Sequence, residues 1–572
     1  ALIGLTLNTR ASSRAIIPFV SSIPNRQFWQ NYTPKLLIVW REGQLGTLWR
    51  TDLLAGLTVA IVALPLAMAL GIASGASPHQ GLITAVVAGF LISLLGGSRV
   101  QIGGPTGAFV VIVAGVIAAH GFSGLVLATL LAGAMLIVAG YAGLGKLIRF
   151  IPMPVVTGFT AGIAVIIASS QVGDFLGLDA GKVPAEFLAK WSAYFAALDT
   201  IRAPTVAVGG GTLGIILLLR RYAPQLPAFL LAVLVAALAV ALLHLPVATV
   251  GERFPAMPTG IPAPHLPDVS LALVRSVLPS AFTIAFLAGI EALLSAVVAD
   301  GMTGYSHRSG QELVGQGVAN LACALFGGLP ATGAIARTAT NIRAGGRTPI
   351  AGLSHALFLL LFLLVAGRWI AYVPMAALAA ILLVVAWGMS EFDRFRTLLA
   401  IDTGERALLV LTFGLTVLVD LTVAIGVGVT LASLLFMARM SETAGLMPSE
   451  QSVDDPAQRA ALPKGVEVFR FAGPMFFGVA GEMLEVLHRS GRTPEIIVLR
   501  MELVPYIDSS GARALEAFVR QASGNGTRVI LCDLRAQPAV FLDKAGSQFT
   551  GVERIATFAD ALTKVAAAVH NE

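Results

Sequence analysis

Long apolar runs with almost no charge set the tightest limit on what this chain can fold into. Between Asp52 and Arg439 the charged residues cluster in short stretches, and the runs between them approach the roughly 20 apolar residues that a spanning helix needs. Only 12% of the chain is charged, against about 25% in soluble proteins. The pattern predicts an all-α polytopic membrane domain of about 14 segments, near residues 52–73, 81–96, 104–120, 123–143, 153–171, 204–219, 227–245, 277–299, 311–327, 331–344, 350–367, 373–389, 405–419 and 421–438.

Basic residues mark one set of alternating loops. With the N-terminus inside, the inside loops hold Arg99, Lys146, Arg149, Arg220, Arg221, Arg308, Arg343, Arg347, Arg394, Arg396 and Arg406. Cytoplasmic loops are enriched in Lys and Arg, so we predict that both termini are cytoplasmic. The expected location is a cell membrane, the inner membrane of a bacterium. The net charge of +6 is then a topology signal, and no nucleic-acid partner is expected.

Composition also divides the chain into four parts. Residues 1–50 are predicted to be an N-terminal cytoplasmic extension, although the first 41 residues, basic and without acids, also resemble a transit peptide. The membrane domain is placed at residues 51–440, a linker at 441–464, and a more highly charged soluble domain at 465–572. In this domain strand-like segments at 466–471, 496–501 and 527–534 alternate with helical patterns at 478–487, 510–521 and 559–569, which predicts a small α/β fold.

The membrane part contains an internal repeat. Its marks in the first half are Pro65, the Gly104-Pro105 break and Pro152, and in the second half Glu291, the Leu329-Pro330 break and Pro374. The spacings within the two halves are nearly equal. Each copy holds seven of the 14 predicted segments. Because seven is odd, the second copy must cross the membrane in the opposite orientation. Inverted repeats with paired broken helices are typical of secondary transporters with a site at the midplane, whereas chance placement of Gly and Pro is the alternative.

Glu291 is the only charged residue between positions 278 and 299. A charge at the bilayer centre costs at least about 2.5 to 3.5 kcal/mol, so it is rare without a partner or a function. A carboxyl group that gains and loses a proton during transport would couple flux to a proton gradient. Ser295 lies one turn further along the same helix face, so the pair is also a candidate Na⁺ site. A structural carboxyl fixed to a neighbouring helix is the third interpretation.

The two breaks predict an anion site. Each leaves unpaired N–H groups at the start of a short helix, at Thr106 and near Ile335, and the partial positive charge there attracts anions. Arg337 lies just inside the second helix and adds a permanent positive charge. Its alternative is an interfacial position from which the side chain reaches water. No catalytic motif, cofactor motif or metal-ligand spacing occurs, so we predict no enzyme, no cofactor and no metal site.

Several motifs resemble the sulfate permease (SulP) family, from about residue 50 to the end of the chain. They are Asp52-Leu53-Leu54-Ala55-Gly56-Leu57-Thr58-Val59, Leu64-Pro65-Leu66-Ala67-Met68-Ala69, Gly103-Gly104-Pro105-Thr106, Ala336-Arg337-Thr338-Ala339-Thr340-Asn341 and Gly345-Gly346-Arg347-Thr348-Pro349. The tail with Asp508-Ser509-Ser510-Gly511 looks like a STAS domain. The resemblance implies seven plus seven inverted segments in core and gate domains, a homodimer and an elevator-like motion.

The resemblance also implies which residues form the site. The substrate-binding positions are Pro65, Leu66, Met68, Thr106, Gly107, Ala108, Gly333, Ala334, Ile335 and Arg337, and the coupling-ion positions are Glu291 and Ser295. Leu66 replaces a Gln that many members carry. Together with Asp300-Gly301-Met302-Thr303-Gly304 and the stretch from Glu312 to Gly317, it looks more like the C4-dicarboxylate branch. The expected order of substrates is therefore dicarboxylate, sulfate, then bicarbonate.

Ser509 is a candidate regulatory residue, because the matching serine is phosphorylated in free-standing relatives of the STAS domain. Taken alone, the Asp508-Ser509 motif is a helix N-cap. Three functions remain open from the sequence: a coupled carrier, an anion-gated sensor or motor with little transport, and an uncoupled channel. The intramembrane Glu291 favours the carrier, since a sensor needs no coupling carboxyl. The expected partners are a small anion, a proton or Na⁺, membrane lipid, a second copy of the chain and a regulatory protein at the STAS domain.

Overall fold

The structure is a computed structural model that describes residues 32–146, 152–181, 183–184, 186–224, 226–255, 260–267, 269–419, 421–447, 462–476, 494–545 and 552–569. Internal contacts divide the chain into two compact units, between Gly428 and Val429. The helices of the membrane part are α1 Lys35–Arg41, α2 Leu45–Ala73, α3 Pro78–Leu95, α4 Val110–Tyr141, α5 Met153–Leu176, α6 Phe187–Ala196, α7 Ala203–Tyr222, α8 Ala228–Leu243, α9 Val250–Arg253, α10 Leu271–Thr303, α11 Ser309–Leu325, α12 Ile335–Arg343, α13 Ile350–Ala366, α14 Met375–Met389, α15 Phe392–Ile401, α16 Thr403–Leu418 and α17 Leu421–Thr443.

Each apolar run coincides with helix, which confirms the predicted fold class. Within the described ranges, nine helical segments are long and apolar enough to cross a membrane. The predicted segments 104–120 and 123–143 correspond to the two parts of α4, which are separated by a kink at Gly121 with non-helical φ 68 and ψ −175. A glycine adopts this left-handed conformation without the steric cost that a side chain adds. The short helices α1, α6, α9 and α15 were not predicted, because they lie in the connections between apolar runs.

The repeat is visible in the backbone. Pro152 caps the start of α5 with φ −67 and ψ 143, and Pro374 caps the start of α14 with φ −69 and ψ 138. The two breaks form short strands, β1 (Gly103–Gly104) and β2 (Thr332–Gly333), which pair antiparallel. Antiparallel pairing of equivalent segments is the arrangement that an upside-down second copy produces.

The spanning helices fall into two sets by their packing. The core set contains α2, α3, α4, α10, α11, α12 and α13, and the gate set contains α5, α7, α8, α14 and α16. Within the core set α4 and α11 approach closely, because a Cβ on Gly133 would lie 2.8 Å from the Gly317 carbonyl oxygen. Small residues permit such approach in membranes, where packing rather than water expulsion holds helices together. The sets meet mainly through α2, which packs on α8 and α14.

The second unit contains a five-stranded sheet in the order β3 (Gly445–Met447), β4 (Val466–Ala472), β5 (Ile496–Leu503), β6 (Arg528–Cys532) and β7 (Glu553–Ile555). Strand β3 is antiparallel to β4, and the remaining neighbours are parallel. Its helices are α18 (Ser509–Gly524), α19 (Ala536–Ala545) and α20 (Phe558–Val569).

Both faces of this sheet are covered, as an α/β layer structure requires. Phe469, Leu499 and Leu531 pack with Phe518 of α18 on one face, and Val468, Val498 and Ile530 pack with α20 on the other. The three predicted strands and two of the predicted helices are present. The predicted helix at 478–487 lies outside the described residues. Strand β3 lies within the stretch predicted to be a linker. It was not predicted, because a three-residue edge strand is too short to show a residue pattern.

Candidate functional site

The site is built around the β1–β2 pair, at which both broken helices begin. Gly103 pairs with Gly333 and Gly104 with Thr332. After β1 the chain enters a short 3₁₀ turn at Gly107 that continues into α4, and after β2 it enters α12 at Ile335. The first N–H groups of a helix have no partner within that helix. Because the two strands are antiparallel, the two helix starts leave this short pair at its opposite ends.

Buried hydroxyl and amide groups fix this pair. The Ile102 N–H donates to Thr338 Oγ1 over 3.0 Å, and Asn341 Nδ2 donates to the Val100 carbonyl over 2.8 Å. Thr332 Oγ1 donates to the Ala288 carbonyl of α10 over 2.8 Å. Because all three bonds are buried, each rigidifies the break more than an exposed bond would.

Glu291 on α10 contacts the first break directly. Its Oε2 accepts a hydrogen bond of 2.8 Å from Thr106 Oγ1. Thr106 is also the residue that precedes the first helix start. The structure therefore brings together the predicted coupling carboxyl and a predicted substrate-binding residue.

Arg337 lies inside the protein, and the interfacial interpretation is wrong for this residue. Its side chain is buried, at 4% exposure, and the guanidinium donates to the Pro105 carbonyl oxygen. Among the described residues no ion pair joins Arg337 to Glu291. The two side chains instead hold adjacent residues of the same break, Pro105 and Thr106, so a cation and a carboxyl group flank one short stretch of backbone.

Ser295 makes a different contact from the one expected of a cation site shared with Glu291. It is fully buried, and its Oγ donates to Thr338 Oγ1 over 3.2 Å. In the described part of the chain, no group of three or more His, Cys, Asp or Glu side chains is placed to hold a metal ion. Ser295 therefore tethers α10 to α12, close to Glu291 along the helix but bonded elsewhere.

The remaining predicted positions surround the breaks. Pro65 and Met68 are buried and Leu66 half-buried on α2, which packs against α12. Ala108, Gly333 and Ala334 are buried, and Ile335 is 40% exposed at the start of α12. A Cβ on Gly107 would lie 2.5 Å from Met389 Sδ and 3.2 Å from Ile167 Cδ1. The first helix start thus lies at the junction between the core set and the gate set.

Two carboxyl groups to which the sequence analysis gave no role bind backbone N–H groups of the loops beyond this site. Glu312 Oε2 accepts from the N–H groups of Gly97 and Ser98, over 2.8 and 3.1 Å. Asp52 Oδ1 accepts from Arg347 N and Thr348 N in the other half. Glu312 is the only acidic or basic residue of α11, the same signal that marked Glu291. A single charged residue in an apolar helix thus marked Glu312 in the sequence as well. Its hydrogen-bond partners, however, are remote along the chain and could not be predicted.

Glu312→Ala is expected to lower the stability of the membrane unit. It leaves two buried N–H groups without acceptors, and unsatisfied buried groups cost about 1 to 3 kcal/mol each. A thermal melt in detergent should show a clear fall in Tm for this variant. Glu312→Gln keeps an acceptor oxygen and should melt close to the wild type; equal melting of all three proteins would rule out the supporting role.

Gly104→Ala is expected to abolish substrate binding without preventing membrane insertion. Gly104 has φ +146, and a Cβ there would lie 2.5 Å from Arg337 Nη1. The side chain would therefore strain the backbone and displace Arg337. Gly115→Ala is the matched control, because a Cβ there meets nothing within 4 Å. Equal substrate affinity in the two variants, measured by calorimetry in detergent, would contradict the expectation.

Ser509 begins helix α18 in the second unit. Asp508 Oδ1 accepts from Ser510 N and Gly511 N, each over 2.8 Å, so Asp508 is the predicted N-cap. Ser509 itself is exposed. Its position at a helix start is one where a phosphate is electrostatically favourable.

Comparison with known proteins decides the family. A model of the sulfate permease family matches residues 49–412, and a model of the STAS domain matches residues 459–561. The chain belongs to the sulfate permease family. It is therefore an integral, multi-pass membrane protein of a transporter family and not an enzyme. The resemblance stated from the motifs is confirmed.

Two curated relatives of this sulfate permease family protein are similar over most of its length. YvdB of Bacillus subtilis, whose name assigns it provisionally to sulfate transport, is 40% identical over 87% of this chain and 94% of its own. The bicarbonate transporter BicA of a Picosynechococcus strain is 32% identical over 86% of this chain and 90% of its own.

Solved structures support the fold of this family member. The transmembrane domain of a cyanobacterial bicarbonate transporter, BicA, covers 67% of this chain and 97% of its own, with 31% identity and a TM-score of 0.58. The murine anion transporter Slc26a9 in an inward-facing state covers 97% of this chain and 100% of its own, with a TM-score of 0.84 at 16% identity. At that identity the second likeness speaks for the fold alone.

Proposed function

We propose that this protein is a secondary active transporter of small anions, driven by a proton gradient and working by elevator-type alternating access. The observation that carries the proposal is the arrangement at Pro105 and Thr106. A buried Arg337 holds one residue and Glu291 holds the next, beside two helix starts. Positive potential for an anion and a carboxyl group for a proton thus meet at one place.

The site favours a divalent anion. Helix starts and a permanent cation attract negative charge, and a proton on Glu291 would remove the negative charge of that carboxyl group. The sequence motifs favour a C4-dicarboxylate, and the provisional name of YvdB favours sulfate. Bicarbonate, which the name of BicA gives, is the monovalent alternative. These are the three substrates to test.

Coupling through Glu291 is the second part of the proposal. A bound anion favours the protonated carboxyl, and a protonated carboxyl favours the anion, because linkage makes the effect reciprocal. Thr106 Oγ1 donates to Glu291 Oε2, so an anion at this helix start competes with this carboxyl group for nearby donors. Na⁺ coupling through Glu291 and Ser295 is the alternative, and it requires Ser295 to leave Thr338.

An elevator motion is supported by the division into core and gate sets. Glu291 and Arg337 lie on helices of the core set, and the two breaks lead into such helices. Ile167 and Met389, which face the first helix start, belong to the gate set. Sliding of the core set against the gate set would carry the whole anion site across the membrane barrier. Rigid-body movement of one bundle against the other is the common form of alternating access in transporters built from inverted repeats, and the elevator motion is the form of it that we propose here.

The setting of the transporter completes the proposal. Both termini face the cytoplasm of a bacterial cell, because the basic loops belong to one side. The protein forms a homodimer, and the STAS domain binds a regulatory partner or is phosphorylated at Ser509. Light scattering of the detergent-solubilised protein tests the dimer, and phosphate analysis of protein purified from its own host tests Ser509.

Proteoliposomes provide the decisive test of function. Succinate, sulfate and bicarbonate are offered with and without an inward proton gradient, and with and without Na⁺. Accumulation of one anion above its equilibrium level under the proton gradient supports the proposal. Flux that never exceeds equilibrium indicates a channel. Anion binding without flux indicates a sensor, and either outcome overturns the carrier.

A further inference from the structure

Residues 32–44, here called the N-terminal strap, are bonded to the loop that leads into the anion site. The Lys35 N–H donates to the Gly96 carbonyl over 3.0 Å. Arg99 of that loop donates to Glu42 over 2.6 Å and to Gln44 over 2.9 Å. The strap therefore holds loop 96–99 by one backbone bond and one branched side chain.

A second loop locks the strap in place. Arg308 donates through its guanidinium to the Thr33 carbonyl over 3.2 Å, and its N–H donates to the Gly97 carbonyl over 3.0 Å. Tyr32 donates to the Gly140 carbonyl at the end of α4 over 3.1 Å. The strap thus bonds to three segments of the core set: loop 96–99, Arg308 before α11, and Gly140 at the end of α4.

Loop 96–99 continues directly into the site. After Arg99 come Val100 and Ile102, which bond to Asn341 and Thr338 of α12, and then strand β1. A displacement of the strap would therefore be passed through a few rigid residues to the break that carries Thr106.

The strap and the first residues of α2 after it carry the exposed side chains of a membrane-interface segment. Trp40 is 65% exposed and Leu37 42% exposed, and Trp49 is exposed at the start of the first spanning helix. Arg41 and Arg50 are exposed among them. Exposed tryptophan and leucine with arginine, next to a spanning helix, are the composition that binds a lipid surface.

Charge around the strap favours an anionic headgroup. Burial lowers the pKa of Lys35, the neighbouring cations Arg308 and Arg99 lower it further, and Asp300 and Glu42 raise it. Three cations, Lys35, Arg99 and Arg308, thus lie with the two carboxyl groups of Asp300 and Glu42 in this region, and a phosphate group would balance the one cation in excess. Charge complementarity and continuity with the spanning helix α2 therefore point to the same occupant.

We propose that the N-terminal strap binds anionic phospholipid headgroups and that this binding holds loop 96–99, and through it the anion site, in its working geometry. Each basic residue near an anionic membrane surface strengthens binding about fivefold. The lipid binding stands on its own contacts, whereas its effect on anion affinity rests on the proposed function.

The binding is tested with the full chain in vesicles that contain brominated phosphatidylglycerol or brominated phosphatidylcholine. The fluorescence lost on replacing Trp40 (Trp40→Phe) isolates that residue's signal. Stronger quenching of this component by the brominated anionic lipid is expected. The Arg41→Gln/Arg50→Gln variant should need about 30-fold more anionic lipid, and an Arg221→Gln/Arg343→Gln control should need no more than the wild type. Equal quenching by both lipids overturns the proposal.

The consequence is tested by measuring anion affinity against the fraction of phosphatidylglycerol. Affinity should rise with anionic lipid in the wild type and remain flat in the Arg41→Gln/Arg50→Gln variant. Inorganic phosphate added to phosphatidylcholine vesicles should not replace the lipid; if it does, the cluster takes free phosphate and the lipid proposal fails. Lipid binding without any effect on affinity removes the link to the site, and lipid binding without transport refutes only the proposed function.

Discussion

Glu291→Gln is expected to abolish uptake driven by an inward proton gradient while exchange between two substrate-loaded faces continues. Glutamine resembles the protonated carboxyl but cannot release a proton. Its amide can still face Thr106, whose hydroxyl bonds to Oε2 in the structure, so the break should keep its shape. The site would then bind substrate and move with it, but the movement would no longer depend on a proton.

The measurement compares gradient-driven uptake with counterflow in the same proteoliposomes. Glu312→Gln is the matched control, because it makes the same chemical change at another carboxyl group of the core set, one that bonds loop N–H groups instead of Thr106. The control should retain uptake driven by the gradient. If Glu291→Gln still concentrates substrate, Glu291 is structural. If only Na⁺ drives the wild type, Glu291 and Ser295 belong to a cation site.

Arg337→Ala is expected to weaken anion binding by at least about 30-fold, because removing one partner of a buried charged contact costs about 2 to 5 kcal/mol. Arg337 is buried and bonded to Pro105 beside the first helix start. Its charge adds to the partial charge of the helix ends, at short range and away from water. Folding should suffer less, since the variant leaves the contacts of Thr338 and Asn341 on the same helix in place.

Arg343→Ala provides the control on the same helix, because Arg343 is exposed at the last turn of α12. Substrate affinity is measured by calorimetry and folding by thermal melting, for both variants and for Arg337→Lys. Lysine keeps the charge without the planar fork, so intermediate affinity is expected. An Arg337→Ala variant with wild-type affinity would show that the residue only fastens the break.

The spanning segments and the orientation of the loops could be predicted from apolar runs and basic residues, because each of these patterns involves residues that are neighbours along the chain. A run of about 20 apolar residues has no other stable solvent than lipid. Glu291 was identified for the same reason, as a single costly charge in such a run. Pro152 and Pro374 marked helix starts because proline lacks the N–H group that a helix interior needs.

Contacts between the two halves could not be predicted in this way. The bond from Thr106 to Glu291 and the bond from Arg337 to Pro105 each join residues far apart in sequence. Arg337 on its own fitted both an interfacial and a buried position, and only the packing of α12 against β1 selected the buried one. Ser295 lies on the expected helix face but bonds to Thr338.

The sequence by itself determined that this chain spans a membrane many times, that its halves are inverted copies and that an α/β domain follows. These properties follow from local composition, helix-breaking residues and the parity of the spans. The tertiary structure decided which carboxyl lies at the break and which ones brace the loops. Glu291 and Glu312 carry the same local signal, and only the strands and helix ends that fold against them give one a hydroxyl beside the proposed anion site and the other two backbone N–H groups.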